Sequence, residues 1–365
     1  MTLHFKRAAA AMMAAMTLLS AQSLPVSAEE QNVRNIVVIG DSISSGKGLE
    51  NVTDSYPSMV GRYYHAKVTN LAEDSCTTTA LLETLDKPEV QEQLSKADII
   101  LFTVGMEDLL TPFLDQLDAY KTELGFENVN DLYTANRAGI DLSDDELNDY
   151  SLTLGDKLQE NETSCADNIL AVGEKLSVYT KNAEIICPNT YNCLNTLEGF
   201  SSLSFKRQQA YKSIMNPCGW VTATANASFD KLGETYGFKV VKVDEAFKGY
   251  AYQYTGLNQM QYEPNAVGHK KIAQLILGES VTEVPLVCGD LTKDDTVSAE
   301  DAAEVLVAAA KIGSGASDVL SAELLASADV NGDGAADASD ASQILQYAAA
   351  VGSGSDATPW EYFGK

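Results

Sequence analysis

The chain has 365 residues, of which 45% are hydrophobic and 21% are charged, and this composition is that of an ordinary globular protein. It carries 52 Asp and Glu residues against 25 Lys and Arg, which gives a formal net charge of −27. Because such a surface repels nucleic acid and anionic lipid, neither is an expected partner. The length is sufficient for two domains, or for one large domain and an appendage.

The first residues have the pattern of a secretory signal peptide. Basic residues precede an apolar run over residues 8–19, and small residues at 26–28 suit a cleavage site, as in export signals. We therefore predict a signal peptide over 1–28, a mature chain that begins at Glu29, and secretion to the medium or the cell surface. The apolar run is too short to cross a bilayer and no later stretch is long enough, so no membrane span is expected.

Six cysteines accompany this predicted export, and an even number permits disulfides. Cys187 and Cys193 flank a short loop, so they are the first pair that we expect to be bridged. The chain has no Cys-x-x-Cys motif and only three histidines, so a zinc site is not expected. The six are Cys76, Cys165, Cys187, Cys193, Cys218 and Cys288.

The most informative stretch runs from Ile36 to Ser44. β-Branched apolar residues occupy positions 36–39 and end at Gly40, which predicts a strand buried on both faces of a parallel sheet. Ser42 follows two residues beyond the strand, where open α/β sheets bind their ligands. Ser42 is therefore a candidate nucleophile, and the alternative is the N-cap of a helix, which serine also favours.

Strand-like and helical segments alternate over residues 29–278. Ser143 and Glu146 form a capping box that opens a long helical region. The alternation predicts an α/β fold, a flavodoxin-like three-layer α/β/α sandwich with a parallel sheet. A proline-containing segment at 279–287 is predicted to be a linker. The predicted strands lie at 36–39, 67–71, 98–105, 184–188 and 238–243.

Beyond the linker, residues 289–301 match residues 328–340 as an internal repeat, and a helix is predicted after each copy. Each copy places oxygen-bearing residues at the positions from which a calcium loop supplies its ligands. The second copy also has Gly334 at the sixth position, where the turn favours positive φ, whereas the first has Asp295 there. We expect two calcium sites, the first being weaker. The predicted ligands are Asp290, Thr292, Asp294, the Thr296 carbonyl, Ser298 and Asp301, then Asp329, Asn331, Asp333, the Ala335 carbonyl, Asp337 and Asp340.

Residues 288–352, with both loops and a small all-α architecture, resemble a type I dockerin. The resemblance implies that this part attaches the chain to a cohesin on the scaffoldin of a cellulosome. In that family the tenth and eleventh loop positions help to select the cohesin, and the two copies differ there. No role is assigned to the polar tail at 353–365. The selecting positions are Ala299 and Glu300 in the first copy, and Ala338 and Ser339 in the second.

The segment from Gly40 to Ser44 resembles the first sequence block of the SGNH (GDSL) hydrolases, and the other blocks follow in order over most of 36–278. The family consists of serine esterases and lipases on a flavodoxin-like sheet. A serine attacks the acyl carbonyl, a histidine takes its proton, and an oxyanion hole holds the developing charge. The resemblance makes Ser42 the nucleophile, next to Asp41, with the N–H groups of Ser42 and Ser75 as oxyanion donors.

Several positions depart from the family pattern. Ser75 stands where the family has glycine, and its N–H still donates. Glu107 replaces the oxyanion asparagine, and an ionised carboxylate offers only acceptors. Glu263 replaces the catalytic histidine, and Met260 replaces the aspartate that orients it.

The remaining base candidates are His269, for which helix packing is the alternative role, and Glu263. Glu107 and Glu263 are also candidates for a like-charge pair beside Ser42 that forms a weak base or a metal or sugar site. Two functions therefore stay open. One is a secreted cellulosomal esterase that removes acyl groups such as acetyl from plant polysaccharides. The other is a catalytically degenerate SGNH-fold protein that binds carbohydrate or has a structural role.

Overall fold

The computed structural model describes residues 34–127, 129–134, 142–180, 182–195, 197, 199–256, 261–278, 286–294, 296–317, 319–355 and 357–364. The predicted signal peptide at 1–28 and most of the predicted linker at 279–287 lie outside the described residues. Met260 and Asp295 also lie outside them.

Five parallel strands form one sheet, in the order β2-β1-β3-β4-β5. This is a flavodoxin-like order, in which the winding direction reverses between β1 and β3 and ligands bind at the carboxyl ends beside that point. The predicted α/β fold is therefore confirmed. The strands are β1 (Asn35–Gly40), β2 (Lys67–Asn70), β3 (Ile99–Thr103), β4 (Glu184–Pro188) and β5 (Lys239–Val241).

Helices follow each strand and continue through the C-terminal part of the chain. The α/β part has α1 (Ser42–Ser45), α2 (Tyr56–Tyr63), α3 (Thr78–Thr84), α4 (Pro88–Ser95), α5 (Met106–Leu124), α6 (Val129–Thr134), α7 (Asp144–Lys157), α8 (Glu162–Tyr179), α9 (Phe205–Tyr236), α10 (Val243–Phe247), α11 (Ala251–Tyr254) and α12 (Ala266–Leu277). The C-terminal part has α13 (Ala299–Gly313), α14 (Ala322–Ala328), α15 (Ala338–Gly352) and α16 (Pro359–Phe363). Among the described residues, no helix has the length and apolar character needed to cross a membrane.

The uninterrupted apolar run of β1 is explained by its position between two cores. Ile36 and Val38 belong to the cluster on one face of the sheet, whereas Val37 and Ile39 belong to the cluster on the other. A strand that is buried on both faces has no solvent side for polar residues to occupy. The predicted capping box is present, because Ser143 and Glu146 exchange side-chain-to-backbone hydrogen bonds.

The predicted disulfide between Cys187 and Cys193 is absent, and all six cysteines are buried. Cys187 lies in the core on one face of the sheet and Cys193 in the core on the other, so proximity in sequence does not bring their sulfurs together. The thiol of Cys187 donates to the carbonyl of Lys239 at 3.7 Å. A hydrogen bond with the Cys218 thiol, together with burial, raises the pKa of Cys193.

The C-terminal helices have a core of their own, which includes Val305 of α13, Ile344 of α15 and Trp360 of α16. The Trp360 ring also stacks on His65, with ring centroids 4.9 Å apart and planes inclined by 6°. A cleft of about 360 Å³ lies between these helices and the α/β part, lined by residues of both. The tail, for which the sequence indicated no role, therefore packs against both parts of the chain.

Candidate functional site

Ser42 is positioned by a tight connection between β1 and α1. Gly40 has a φ of +117°, and the N–H of Asp41 donates to the carbonyl of Thr103 on β3 at 3.0 Å. The side chain of Asp41 accepts from the N–H of Ile43 at 3.2 Å and so caps α1. The N-cap is therefore Asp41, and Ser42 is the first helical residue beyond the carboxyl end of β1.

The Ser42 hydroxyl lies beneath a tyrosine. Its Oγ is 3.1 Å from the Tyr262 hydroxyl oxygen, and the Tyr262 hydroxyl donates to Oε2 of Glu107. A phenol has one proton to donate, and that of Tyr262 is used in the hydrogen bond to Glu107. Ser42 is therefore the donor in its hydrogen bond with Tyr262. Ser42 is 0% exposed and Tyr262 is 3% exposed. Burial, followed by the charges of Asp41 and Glu107, raises the pKa of Tyr262, so the phenol stays protonated.

Glu263 does not contact Ser42 through a hydrogen bond. Its side chain is 5% exposed and its Oε1 lies 3.1 Å from Nζ of Lys47. Burial lowers the pKa of Lys47, but the hydrogen bond and charge of Glu263 outweigh it, so that the pKa is raised. The carboxylate at the family's histidine position is thus paired with a lysine rather than directed at the serine.

His269, the first base candidate from the sequence, makes no hydrogen bond with Ser42 among the described residues. The imidazole is 0% exposed, and its Nδ1 accepts from the backbone N–H of Tyr56 at 3.2 Å. Its Nε2 is buried without a hydrogen-bond partner among the described residues. Burial lowers the pKa of His269 to about 3. The residue is a neutral packing element of α12, which was the alternative role considered from the sequence.

Asp41 and Ser75 have distinctive local environments. Asp41 is 0% exposed, its Oδ1 accepts from the Thr103 hydroxyl at 2.6 Å, and its Oδ2 has no partner among the described residues. Burial raises the pKa of Asp41 to about 7, and the charge of Glu107 adds to the rise.

Ser75 is exposed and has a φ of +58°, a backbone conformation that suits the glycine of the family pattern.

Sequence reasoning missed Tyr262 and Lys47, which hold the two glutamates. Tyr262 directly precedes Glu263 in the sequence. A comparison of the catalytic positions alone did not show that this neighbouring residue takes part in the site. Lys47 lies in the glycine-rich loop after α1, which gave no signal of its own. Glu107 and Glu263 are both at the site, but they are partnered separately and do not form a like-charge pair through a shared hydrogen bond.

The second repeat folds its acidic side chains inward around the loop. The two carboxylate oxygens of Asp329 accept from the N–H groups of Asp333 at 3.0 Å and Gly334 at 2.9 Å. The buried Asp340 accepts from the N–H groups of Asn331 at 3.2 Å and Asp337 at 2.9 Å. Gly334 has a φ of +90°, as expected for the sixth position. The oxygen-only donor set fits calcium.

The first repeat has a similar backbone but uses its threonine differently. The hydroxyl of Thr292 donates to Oδ1 of Asp301 at 3.0 Å, and Asp301 also accepts from the N–H groups of Thr292 at 3.0 Å and Ser298 at 2.8 Å. Asp290 and Asp301 are both 0% exposed, and Asp294 accepts from the Thr296 N–H at 2.8 Å. Among the described residues, no group of three or more His, Cys, Asp or Glu side chains is arranged to hold a metal ion, so the carbonyls and hydroxyls of the loops are needed to complete a calcium site.

The predicted cohesin-selecting residues lie at the start of the helices that follow the loops. Ala299 and Glu300 begin α13, Ala338 and Ser339 begin α15, and all four are exposed.

The repeat region matches one known family over residues 288–347, described as dockerin type I domain. This part of the chain is a type I dockerin. Dockerins of this type generally bind calcium, they partner cohesins, and the proteins that carry them are typically cellulosomal and extracellular. The resemblance noted from the repeat is confirmed.

Outside the dockerin, the chain is similar to solved structures of lipolytic enzymes. The phospholipase A1 of Streptomyces albidoflavus NA297 is 16% identical over 68% of this chain and 99% of that chain, with a TM-score of 0.45. The extracellular lipase of Streptomyces rimosus is 18% identical over 68% and 100%, with a TM-score of 0.45. A member of the lipolytic protein G-D-S-L family from Veillonella parvula DSM 2008 is 13% identical over 69% and 100%, with a TM-score of 0.41. No curated protein matches the chain.

Proposed function

We propose that this chain is a secreted subunit that docks on a cohesin through its calcium-loaded dockerin, and that its SGNH-like α/β domain does not hydrolyse esters through Ser42. The observation that carries the proposal is the burial of Ser42 beneath Tyr262. An acyl carbonyl has to reach the serine Oγ before the serine can attack it. With Ser42 at 0% exposure, the protein itself occupies the space that the carbonyl needs.

Among the described residues, Ser42 has no hydrogen bond to a base, and a carboxylate stands where the family has its asparagine oxyanion donor. A serine nucleophile needs a neighbouring base to take its proton, and here its hydrogen-bond partner is a neutral phenol. Glu107 accepts the hydrogen bond of that phenol, so its carboxylate is held as an acceptor where the family has a donor. A negative charge there repels an oxyanion, and the loss of one oxyanion donor alone costs about 3 to 4 kcal/mol of transition-state stabilisation.

A serine esterase that acts on acyl groups of plant polysaccharides is the second candidate, because Ser42 lies at the carboxyl end of β1 beside the point where the winding reverses. Hydrolysis of p-nitrophenyl acetate and acetyl-xylan by the wild type and by Ser42→Ala separates the two functions. We expect equal rates for both proteins, close to the uncatalysed rate, since Ser42 has neither access nor a base. A rate for the wild type that is lost in Ser42→Ala would establish the esterase instead.

The dockerin part of the proposal concerns the two calcium sites and the difference between their calcium affinities. The first loop has the hydroxyl of Thr292 at the position where the second has the amide oxygen of Asn331, and a hydroxyl is the weaker calcium ligand of the two. Titration of the full chain with calcium by calorimetry is expected to resolve a tighter and a weaker site. Asp329→Ala removes the tighter site and leaves the weaker one, whereas the matched variant Asp290→Ala does the reverse. Retention of both sites in Asp329→Ala would refute the ligand assignment.

A further inference from the structure

A second, polar cleft lies far along the chain from Ser42, between α7 and α9. It has a volume of about 310 Å³ and opens to the surface beside Trp220, whose side chain is 63% exposed. An indole that is this exposed has an apolar surface left in water, which at the edge of a cleft indicates a binding role. The polar side chains that line the cleft are Asp156, Gln159, Gln209, Lys212, Ser213 and Asn216.

The floor of the cleft is rigid because the two helices approach closely. A Cβ at Gly155 would lie 2.2 Å from the carbonyl oxygen of Ser213, so only glycine allows this packing of α7 against α9. Pro217 lies inside α9 and has no N–H to donate to that carbonyl. Trp220 follows on the next turn of the same helix. Because the cleft lies between two regular helices, its shape is largely preorganised for a ligand.

The polar groups in the cleft are available to a ligand. Among the described residues, the side chains of Asp156, Gln209, Lys212 and Asn216 make no hydrogen bond or ion pair with the rest of the chain. The amides both donate and accept, the carboxylate accepts and the ammonium donates. This mixture matches hydroxyl groups, which also donate and accept. One acid and one base cancel in charge, so the cleft does not select a strongly anionic or cationic ligand.

We propose that this cleft binds an oligosaccharide, with one pyranose ring lying on the indole face of Trp220 and its hydroxyls bonded to the side chains around it. The apolar C–H face of a pyranose covers the exposed ring, and its rim of hydroxyls meets the amides, the carboxylate and the ammonium. The open shape of the cleft suits an internal segment of a long chain. The inference goes beyond the proposed function, since it depends neither on Ser42 nor on the dockerin.

The test is calorimetric titration of the full chain with xylohexaose and with cellohexaose. We expect at least one of them to bind, and Trp220→Ala to raise its Kd by about tenfold or more. Phe205→Ala is the matched control, because Phe205 lies on the same helix, is 74% exposed and does not line the cleft; its Kd should equal that of the wild type. Asn216→Ala, at an exposed polar position of the cleft, should weaken binding without removing the ring.

Fluorescence gives a second readout, since the chain has two tryptophans and Trp360 is only 8% exposed. Bound oligosaccharide should protect the emission of Trp220 from acrylamide quenching. Absence of binding for both sugars, or an unchanged Kd in Trp220→Ala, would overturn the proposal. A wild type that binds neither sugar but dimerises, and becomes monomeric in Trp220→Ala, would identify the cleft as a contact between copies and overturn it as well.

Discussion

Replacing Gly40 with alanine is expected to lower the free energy of unfolding of the α/β part by about 4 kcal/mol, a loss that is large for one methyl group. Gly40 has a φ of +117°, where L residues are strained, and a Cβ there would lie 1.9 Å from the carbonyl oxygen of Thr103. That carbonyl is backbone of the adjacent strand and accepts the N–H of Asp41. The methyl group would therefore separate β1 from β3 at the carboxyl end of the sheet.

Gly125→Ala is the matched control for this effect. Gly125 also has a positive φ, +75°, but no atom lies within 4 Å of a Cβ at that position. Its replacement should cost only the backbone strain, about 1 kcal/mol. Urea unfolding followed by circular dichroism at a fixed calcium concentration measures both. Equal losses for Gly40→Ala and Gly125→Ala would mean that the contact with Thr103 is relieved by a small shift.

Asp41→Asn is expected to remove a large pH dependence of stability. Burial raises the pKa of Asp41 from 3.8 to about 7 in the folded chain. Between those values the folded state holds a proton that the unfolded state has released, so the stability contributed by Asp41 is greatest at low pH and falls as the pH rises towards 7. From pH 5 to pH 8 the loss is about 3 kcal/mol. Asn is neutral throughout and resembles the protonated acid in shape.

Comparing the wild type with Asp41→Asn separates the effect of the Asp41 carboxyl group from that of other groups that titrate in the same pH range. His269, whose pKa burial lowers from 6.5 to about 3, contributes with the opposite sign, because the unfolded state binds the proton first. Denaturant unfolding at pH 5 and at pH 8 should show Asp41→Asn becoming more stable relative to the wild type as the pH rises. Parallel pH profiles for the two proteins would contradict the protonated state of Asp41.

Much of the sheet could be predicted from the sequence, because strands that are buried on both faces leave long apolar runs. The run at 36–39 and the segment at 184–188 correspond to β1 and β4 within one residue. The parallel, flavodoxin-like sheet followed from the alternation of strands and helices, whereas the order of the strands was seen only in the structure. The ends of two strands were harder to predict: β3 spans Ile99–Thr103 of its predicted 98–105, and β5 spans only Lys239–Val241, half of its predicted length.

The site was less predictable, because its chemistry depends on side-chain directions that spacing does not reveal. The positions of Ser42, Glu107 and Glu263 in the sequence identified them as site residues. They did not show that the Tyr262 hydroxyl lies between Ser42 and Glu107 and is hydrogen-bonded to both. His269 was a candidate base because imidazoles are scarce, whereas its side chain points into the packing beside Tyr56. The positive φ of Gly334 was predictable because the residues of a calcium loop are contiguous in sequence, whereas the calcium ligands themselves stay a prediction.

The stacking of Trp360 on His65 places the contact between the C-terminal tail and the α/β part at one edge of the sheet. His65 lies two residues before the start of β2, and since all five strands are parallel, it marks the edge of the sheet where every strand begins. Ser42 and its neighbours lie at the opposite edge, where the strands end. The C-terminal tail therefore contacts the α/β part at the base of the sheet, away from the edge that carries Ser42, Tyr262 and Glu107.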